Sequence, residues 1–177
     1  MNYKLIMTEG PNELAFFNVL LQKNLLIFSK EDLLMEQVFH KRQIDGELKG
    51  YIQGLPINDT VDIYRIGDQL TDNLKIPHSI LSKKIRNKYK ICTIPEFEIL
   101  FILNEGLFEE YIKSKSQKKP SEFYKEVNPS YNKQSNFVKK YFENMSKKEI
   151  VSLIDLYIKK RGNAHKKDQL TIKNILK

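Results

Sequence analysis

Acidic residues follow three of the short apolar segments in this sequence. Glu9 follows the first of them, Asp68 follows a later one, and Glu96 and Glu98 follow the last. Ligand sites of parallel α/β sheets form outside the carboxyl ends of the strands, so acids in these places would converge on one edge. Mg²⁺ prefers oxygen ligands, usually one or two carboxylates with waters and substrate phosphates. The spacing therefore predicts a divalent-cation site of the kind that stabilises the attacking and leaving oxygens of a phosphodiester.

Each acid also has an ordinary structural explanation, and the residues alone leave both explanations open. Acids in the first turn of a helix are stabilising by up to ~1 kcal/mol, which is reason enough for Glu96 and Glu98. Asp68 suits a turn. Glu9 is harder to explain in this way, because the Gly-Pro pair that follows it already forms the turn.

Strands and helices alternate through the part of the chain that carries these acids. Apolar runs predict strands over residues 3–8, 24–28, 60–66 and 88–94. Helical spacing and capping residues predict helices that begin at Pro11, after Ser29, after Pro77 and at Pro95. Residues 44–59 predict turns or a weak helix. This alternation is typical of an α/β fold, with a Rossmann-like parallel sheet of about four strands flanked by helices.

Charge divides the chain into two parts. Residues 1–110 contain 13 Lys/Arg and 16 Asp/Glu, whereas residues 111–177 contain 17 Lys/Arg and 6 Asp/Glu. After a basic polar stretch, residues 121–177 look wholly helical. We therefore expect an α/β domain over residues 1–110 and a basic helical extension over residues 111–177 packed on it. The charge split favours a polyanion such as nucleic acid as partner, with solvated lysine-rich helices as the alternative explanation.

Composition bounds the setting in which the protein works. Hydrophobic residues make up 41% of the chain, enough to form a core. Cys92 is the only cysteine, which excludes an intrachain disulfide and a cysteine-based zinc site, and its strand position predicts a buried side chain. The chain begins without a signal-peptide pattern, and its apolar runs are far shorter than the ~20 residues that span a bilayer. We expect a cytoplasmic protein that does not contact the membrane.

The segment MTEGPNELAFF resembles the opening motif of Toprim domains, in which an apolar strand ends in Glu-Gly. Here the pair is Glu9 and Gly10, and Glu13, Phe16 and Phe17 fill the acidic and aromatic positions that follow. The resemblance implies a Toprim-like sheet. It also implies that Glu9 serves as a metal ligand or as a general acid or base.

A later segment, TIPEFEILFILNEG, resembles the N-P-x-F-E-x-W-L-L-L segment of RloB-like proteins, which are Toprim-related relatives of the OLD-family nucleases. Pro95, Phe97 and Glu98 match in order, and the run Tyr131-Asn132-Lys133 is similar to an early motif of their basic helical tail. The resemblance implies Mg²⁺- or Mn²⁺-dependent phosphodiester chemistry on DNA or RNA. It further implies a nuclease or nuclease subunit acting in defence against foreign DNA, with an ATPase as partner protein.

The resemblance also assigns roles to the other acids. Asp68 and Glu98 are implied as metal ligands or organisers of the site. The family's middle motif is Asp-x-Asp, and Leu70 stands at its second acid, so Asp72, two residues further on, is kept as a further candidate ligand. This departure favours an alternative function, a non-catalytic module of the same fold that binds nucleic acid or a partner protein. An enzyme acting on a nucleotide or another small molecule is a third hypothesis, although the sequence has no Gly-rich phosphate loop.

The basic part of the chain supplies candidate contacts to backbone phosphate. They are Lys115, Lys118, Lys119, Lys139, Lys140, Lys159, Lys160, Arg161, Lys166 and Lys167. Such side chains neutralise phosphate charge, and for each of them a solvated surface position is the alternative. His165 is a candidate general base or a candidate hydrogen-bond donor to phosphate, whereas His40 and His78 have no neighbours at ligand spacing.

Overall fold

The computed structural model describes residues 1–67, 73–76, 79–93, 96–132, 134–161 and 170–177, with the backbone alone at 79, 80 and 161. The strands are β1 (Asn2–Thr8), β2 (Leu33–His40), β3 (Thr60–Gly67) and β4 (Ile85–Cys92). The helices are α1 (Pro11–Gln22), α2 (Gly46–Gly54), α3 (Ser79–Lys84), α4 (Ile99–Asn104), α5 (Phe108–Ser114), α6 (Pro120–Val127), α7 (Ser135–Glu143) and α8 (Lys147–Arg161), with a 3₁₀ turn at Ile172–Ile175. Among these residues no helix combines the length and apolar character needed to cross a membrane.

The four strands form one all-parallel sheet in the order β2-β1-β3-β4. The central strands β1 and β3 pair in continuous register, from Asn2 opposite Thr60 to Thr8 opposite Ile66. The prediction of an α/β fold with a four-stranded parallel sheet flanked by helices is therefore confirmed. Because all strands run the same way, their last residues lie along one side of the sheet, which we call the carboxyl edge.

Successive side chains along each strand point to opposite faces of the sheet, and they contribute to two apolar cores, one on each face. Ile6 and Ile66 belong to the larger core, which includes side chains from α1, α4, α6, α7 and α8. Leu5 and Ile63 belong to the smaller core, with α2 and α3. In the larger core α7 packs against α1, and α8 packs against α4. Both faces are thus covered, as expected of a parallel sheet.

The predictions for residues 24–40 were wrong. Residues 24–28, predicted as a strand, lie outside the sheet, and the helix predicted after Ser29 is instead β2. Leu25, Leu26 and Phe28 of the first segment are buried for another reason, while Ile27 is exposed. Leu26 forms an isolated antiparallel bridge with Leu176, and it packs in the larger core.

A bulge in β2 explains why this strand has a helical sequence pattern. Met35 and Glu36 have φ values of 55° and 56°, in the left-handed region that L residues rarely adopt. Across this bulge the register of β2 advances from Leu33 to Val38, while β1 advances by only two residues. The buried positions on either side of the bulge therefore lose the alternation of a regular strand.

The other boundaries near the sheet agree more closely with the sequence. The weak helix of residues 44–59 is α2, whose N-cap Asp45 accepts a hydrogen bond from Leu48 N at 3.1 Å. The helix predicted from Pro95, a residue outside the described ranges, begins at Ile99 as α4, so Glu98 occupies its N-cap. Gly106, at φ 74°, lies just after the end of that helix.

The prediction of a wholly helical C-terminal part is wrong at Leu170 and Leu176, which form isolated bridges on either side of the 3₁₀ turn at Ile172–Ile175. Leu170 forms a parallel bridge with Ile91 on the outer side of β4. This pairing satisfies part of an edge strand that would otherwise be open, so it favours an extended segment there. A capping box begins α8, because Ser146 N donates to Glu149 at 2.6 Å and Glu149 N donates to Ser146 Oγ at 3.2 Å.

A buried carboxylate joins the three strands β1, β3 and β4 near their amino ends. Asp62 is 2% exposed and accepts hydrogen bonds from Lys4 at 2.8 Å and from Arg86 at 2.9 and 3.2 Å. The amides of Asn2 and Asn87 donate at 2.6 and 2.8 Å. Burial by itself raises the pKa of Asp62, but these hydrogen bonds, led by those from Arg86, outweigh it and hold the pKa well below its ordinary value.

Candidate functional site

Glu9 extends the pairing of β1 and β3 to the carboxyl edge. Its N–H donates to the carbonyl oxygen of Ile66 at 2.9 Å. Its carboxylate lies across the end of β3, where a Cβ on Gly67 would overlap Glu9 Oε2 and lie 2.7 Å from Cδ. The Glu9 side chain is 13% exposed. Glycine at position 67 therefore makes the room that this carboxylate occupies.

The end of β2 brings two basic side chains to Glu9. His40 Nε2 lies 3.0 Å from the Glu9 carbonyl oxygen. Arg42 Nε lies 3.8 Å from Glu9 Oε1, and the Arg42 side chain is 72% exposed. Neither contact was predicted from the sequence, because both depend on residues 33–40 forming a strand beside β1. The available signal was a basic run directly after that strand.

A second carboxylate folds over the first turn of α1. Gly10 is the N-cap, and Pro11 begins the helix, where its missing N–H is not needed. Glu13 is 9% exposed, and a Cβ on Gly10 would overlap its Oε2 and lie 3.2 Å from Cδ. The sequence signal for this arrangement is an acid three residues after the cap, where the helix dipole also favours negative charge.

A cleft of about 360 Å³ opens between the start of α1 and the turn before α4. Carboxylates dominate the polar side chains that line it, which include Glu13, Glu96, Glu98, Glu122, Asn12 and Lys119. Asn12 Oδ1 is buried there and has no hydrogen-bond partner in the described part of the chain. Among the described lining residues, the cleft therefore combines several carboxylates with a single lysine.

Glu98 is held in this cleft by a tyrosine from the C-terminal part of the chain. Glu98 is 9% exposed, and the hydroxyl of Tyr131 donates to its Oε1 at 2.7 Å. Burial, and then the hydrogen bond to Glu98, raises the pKa of Tyr131 far above its ordinary value. The hydroxyl therefore stays protonated and acts as a donor. In the sequence, Tyr131 belongs to the run Tyr131-Asn132-Lys133, and its hydrogen bond to Glu98 was not predicted.

The predicted acids occupy different places along the carboxyl edge. Glu98 lines the cleft, whereas Glu9 lies over Gly67 and is not among the described lining residues. Asp68 and Asp72 lie outside the described residues, as does Leu70. Within the described ranges, no group of three or more His, Cys, Asp or Glu side chains is placed to hold a metal ion.

Several of the predicted phosphate-binding lysines have acidic partners. Lys118 pairs with Glu126, Lys139 lies 3.7 Å from Glu143, and Lys160 lies 2.8 Å from Glu109. The exposed side chains of the set also include Lys115, Lys119, Lys140 and Lys159. The side chain of Arg161, together with Lys166, Lys167 and His165, falls outside the described part of the structure. Lys119 is the member that lines the cleft.

Comparison with known proteins identifies no relative. No family model, curated protein or solved structure matches the chain. The side chains that line the cleft include the oxygen ligand types that a hard divalent cation takes. Glu13 and Glu98 line it with carboxylates, and Asn12 Oδ1 is a buried oxygen with no hydrogen-bond partner among the described residues. Mg²⁺ needs no more than one or two carboxylates when waters and phosphates complete its coordination.

Proposed function

We propose that this chain is a Toprim-like protein that processes nucleic acid with Mg²⁺ or Mn²⁺, as a nuclease or nuclease subunit acting in defence against foreign DNA. The observation that carries the proposal is the position of Glu9. Its carboxylate lies where two adjacent parallel strands end, in space left by Gly67. Open α/β sheets bind ligands at this edge, and a glutamate in this place is what the resemblance to Toprim domains implies.

Under this proposal, Glu9 and Asp68 hold a divalent cation where β1 and β3 end, with Asp72 and Glu98 as further ligands or organisers. A cation bound there supplies positive charge to the attacking and leaving oxygens of a phosphodiester. Ionised carboxylates suit this role because they only accept hydrogen bonds and are hard oxygen donors.

The C-terminal part contributes to the cleft that Glu98 lines. Tyr131 fixes the Glu98 side chain through a hydrogen bond to a charged acceptor, an interaction worth about 1.5–3 kcal/mol. Lys119 lines the cleft beside the carboxylates. A backbone phosphate that enters the cleft therefore meets a positive charge next to the acids, which offsets the repulsion between them.

Nuclease assays on DNA and RNA with Mg²⁺ or Mn²⁺ test the proposal. We expect Glu9→Gln to reduce cleavage by at least about a hundredfold, because it removes the charge of the central ligand or proton-transfer group. The matched control is Asp155→Asn, which removes an exposed carboxylate of the helical part that pairs with Lys173 and should leave cleavage unchanged. Metal-dependent cleavage of both substrates by Glu9→Gln at the wild-type rate would refute the assignment.

The second candidate is a non-catalytic module of the same fold that binds nucleic acid or a partner protein such as an ATPase. Two observations favour it. Arg42 lies near the Glu9 carboxylate, and Tyr131 donates a hydrogen bond to Glu98. Carboxylates with protein partners can serve structure alone. Co-purification from the native host would identify an ATPase partner, and tight Mg²⁺ binding accompanied by cleavage would rule this candidate out.

A further inference from the structure

Three consecutive basic residues at the end of β2 form what we call the basic loop, residues 40–42. Lys41 is committed to the fold, since its ammonium pairs with Asp45 and lies 3.0 Å from Glu47 at the start of α2. These hydrogen bonds, led by that to Asp45, raise the pKa of Lys41. His40 anchors the loop to β1 through the Glu9 carbonyl oxygen. The third basic residue, Arg42, has a mostly exposed side chain.

Arg42 has its guanidinium close to Glu9 but mostly in solvent. Its Nε is 3.8 Å from Glu9 Oε1, longer than a hydrogen bond, and 72% of the side chain is exposed. At this distance, and with the cation mostly in water, the pair contributes little to stability. The guanidinium has five N–H donors in a planar fork that matches the oxygens of a phosphate, so it can exchange the carboxylate for that ligand.

We propose that Arg42 is a phosphate-positioning residue, which holds a backbone phosphate of nucleic acid at the carboxyl edge beside Glu9. The choice of nucleic acid as ligand rests on the proposed function. A phosphate that approaches Glu9 meets a like charge, and Arg42 supplies the opposite charge at that point. The same guanidinium repels a divalent cation that binds Glu9. Arg42 therefore favours the polyanion and opposes the free metal ion.

These two effects have opposite signs, which a structural role would not produce. Replacing Arg42 by Gln should weaken nucleic-acid binding by about tenfold, through the loss of a charge-assisted hydrogen bond. It should also lower the slope of log affinity against log salt by about 1. The same change should tighten Mn²⁺ binding by about threefold, because a positive charge near Glu9 is removed.

The test uses the full chain and does not depend on turnover. Binding of single-stranded DNA, its duplex and RNA of the same sequence is measured by fluorescence anisotropy in EDTA over a range of salt concentrations. Mn²⁺ binding is measured separately by calorimetry without nucleic acid. The matched control is Lys30→Gln, which removes a 60% exposed positive charge that pairs with Glu36 on the other side of the bulge. Arg42→Lys keeps the charge but loses the fork and should weaken nucleic-acid binding less than Arg42→Gln does.

We expect the control to change both affinities by less than about twofold. Equal effects of Arg42→Gln and Lys30→Gln, a change of both affinities in the same direction, or no binding of any nucleic acid by the wild type would overturn the proposal. If Glu9→Gln abolishes cleavage while Arg42→Gln binds as the wild type does, the function stands and this role fails. If no cleavage is found but the opposite shifts appear, the role stands without the nuclease.

Discussion

Replacing Asp62 by Asn removes the negative charge that Lys4 and Arg86 share, while it keeps the size of the side chain. Loss of one partner from a buried ion pair destabilises a protein by about 3–5 kcal/mol. The side chains of Lys4 and Arg86 are 19% and 56% exposed, so both cations reach water when released. We therefore expect the low end, about 3 kcal/mol near pH 7. In a chain of this length that lowers Tm by roughly 6–12 °C.

The pH dependence gives a second measure of the same interaction. The pKa of Asp62 lies below its unfolded value of about 3.9, because the folded state hydrogen-bonds the charged form. Its stabilisation is therefore complete above about pH 5 and is lost as the pH falls through the unfolded value towards the folded pKa. Since Asn does not titrate, the difference in unfolding free energy between the wild type and Asp62→Asn should shrink below about pH 4.

Urea unfolding followed by circular dichroism, at about pH 7 and about pH 3, measures both quantities. The matched control is Asp155→Asn, which removes a 48% exposed carboxylate paired with Lys173 and should cost less than about 1 kcal/mol. A difference below about 1 kcal/mol for Asp62→Asn near pH 7 would refute the reasoning. An equal difference at both pH values would refute the electrostatic part of it.

Two further substitutions test the site and the core. Gly67→Ala should displace the Glu9 carboxylate, so that Mn²⁺ affinity and cleavage fall while stability falls by only about 1–3 kcal/mol. Gly50→Ala, whose added Cβ meets nothing, should leave Mn²⁺ affinity and cleavage unchanged. Metal titration and thermal melts check this, and wild-type metal binding by Gly67→Ala would contradict it. Phe101→Ala should destabilise the chain by about 3–5 kcal/mol, because this fully buried ring stacks on Tyr124 at 5.0 Å; a loss below about 1 kcal/mol in urea unfolding would contradict that.

The basic C-terminal part does more than carry charge. Tyr131 reaches the cleft and donates to Glu98, and Lys119 lines the same cleft. Aromatic packing holds this part against α4, with Phe101 in contact with both Tyr124 and Tyr131. A loss of packing around α4 would therefore disturb Glu98 as well as the core. Stability and the proposed activity are coupled through one cluster of rings.

Sequence patterns located β3, β4 and α1 well, because their apolar runs and caps are local signals. They misassigned β2, since the apolar pairs on either side of Met35 and Glu36 lie at helical spacing. That spacing results from two residues whose backbone is in the left-handed region, and the pairing of β2 with β1 holds them in this conformation. The bridge from Leu170 to β4 was also missed, because it joins residues far apart in the sequence.

The order of residues along the chain was sufficient to predict the alternating α/β fold and an acid at the end of the first strand. Those features depend on neighbours within a few positions, where apolar spacing and helix-capping chemistry operate. Only the tertiary structure determined that Arg42 lies near Glu9 and that Tyr131 forms a hydrogen bond with Glu98. Such contacts join distant segments, and they follow from strand order and helix packing, which minimise exposed apolar surface over the whole molecule.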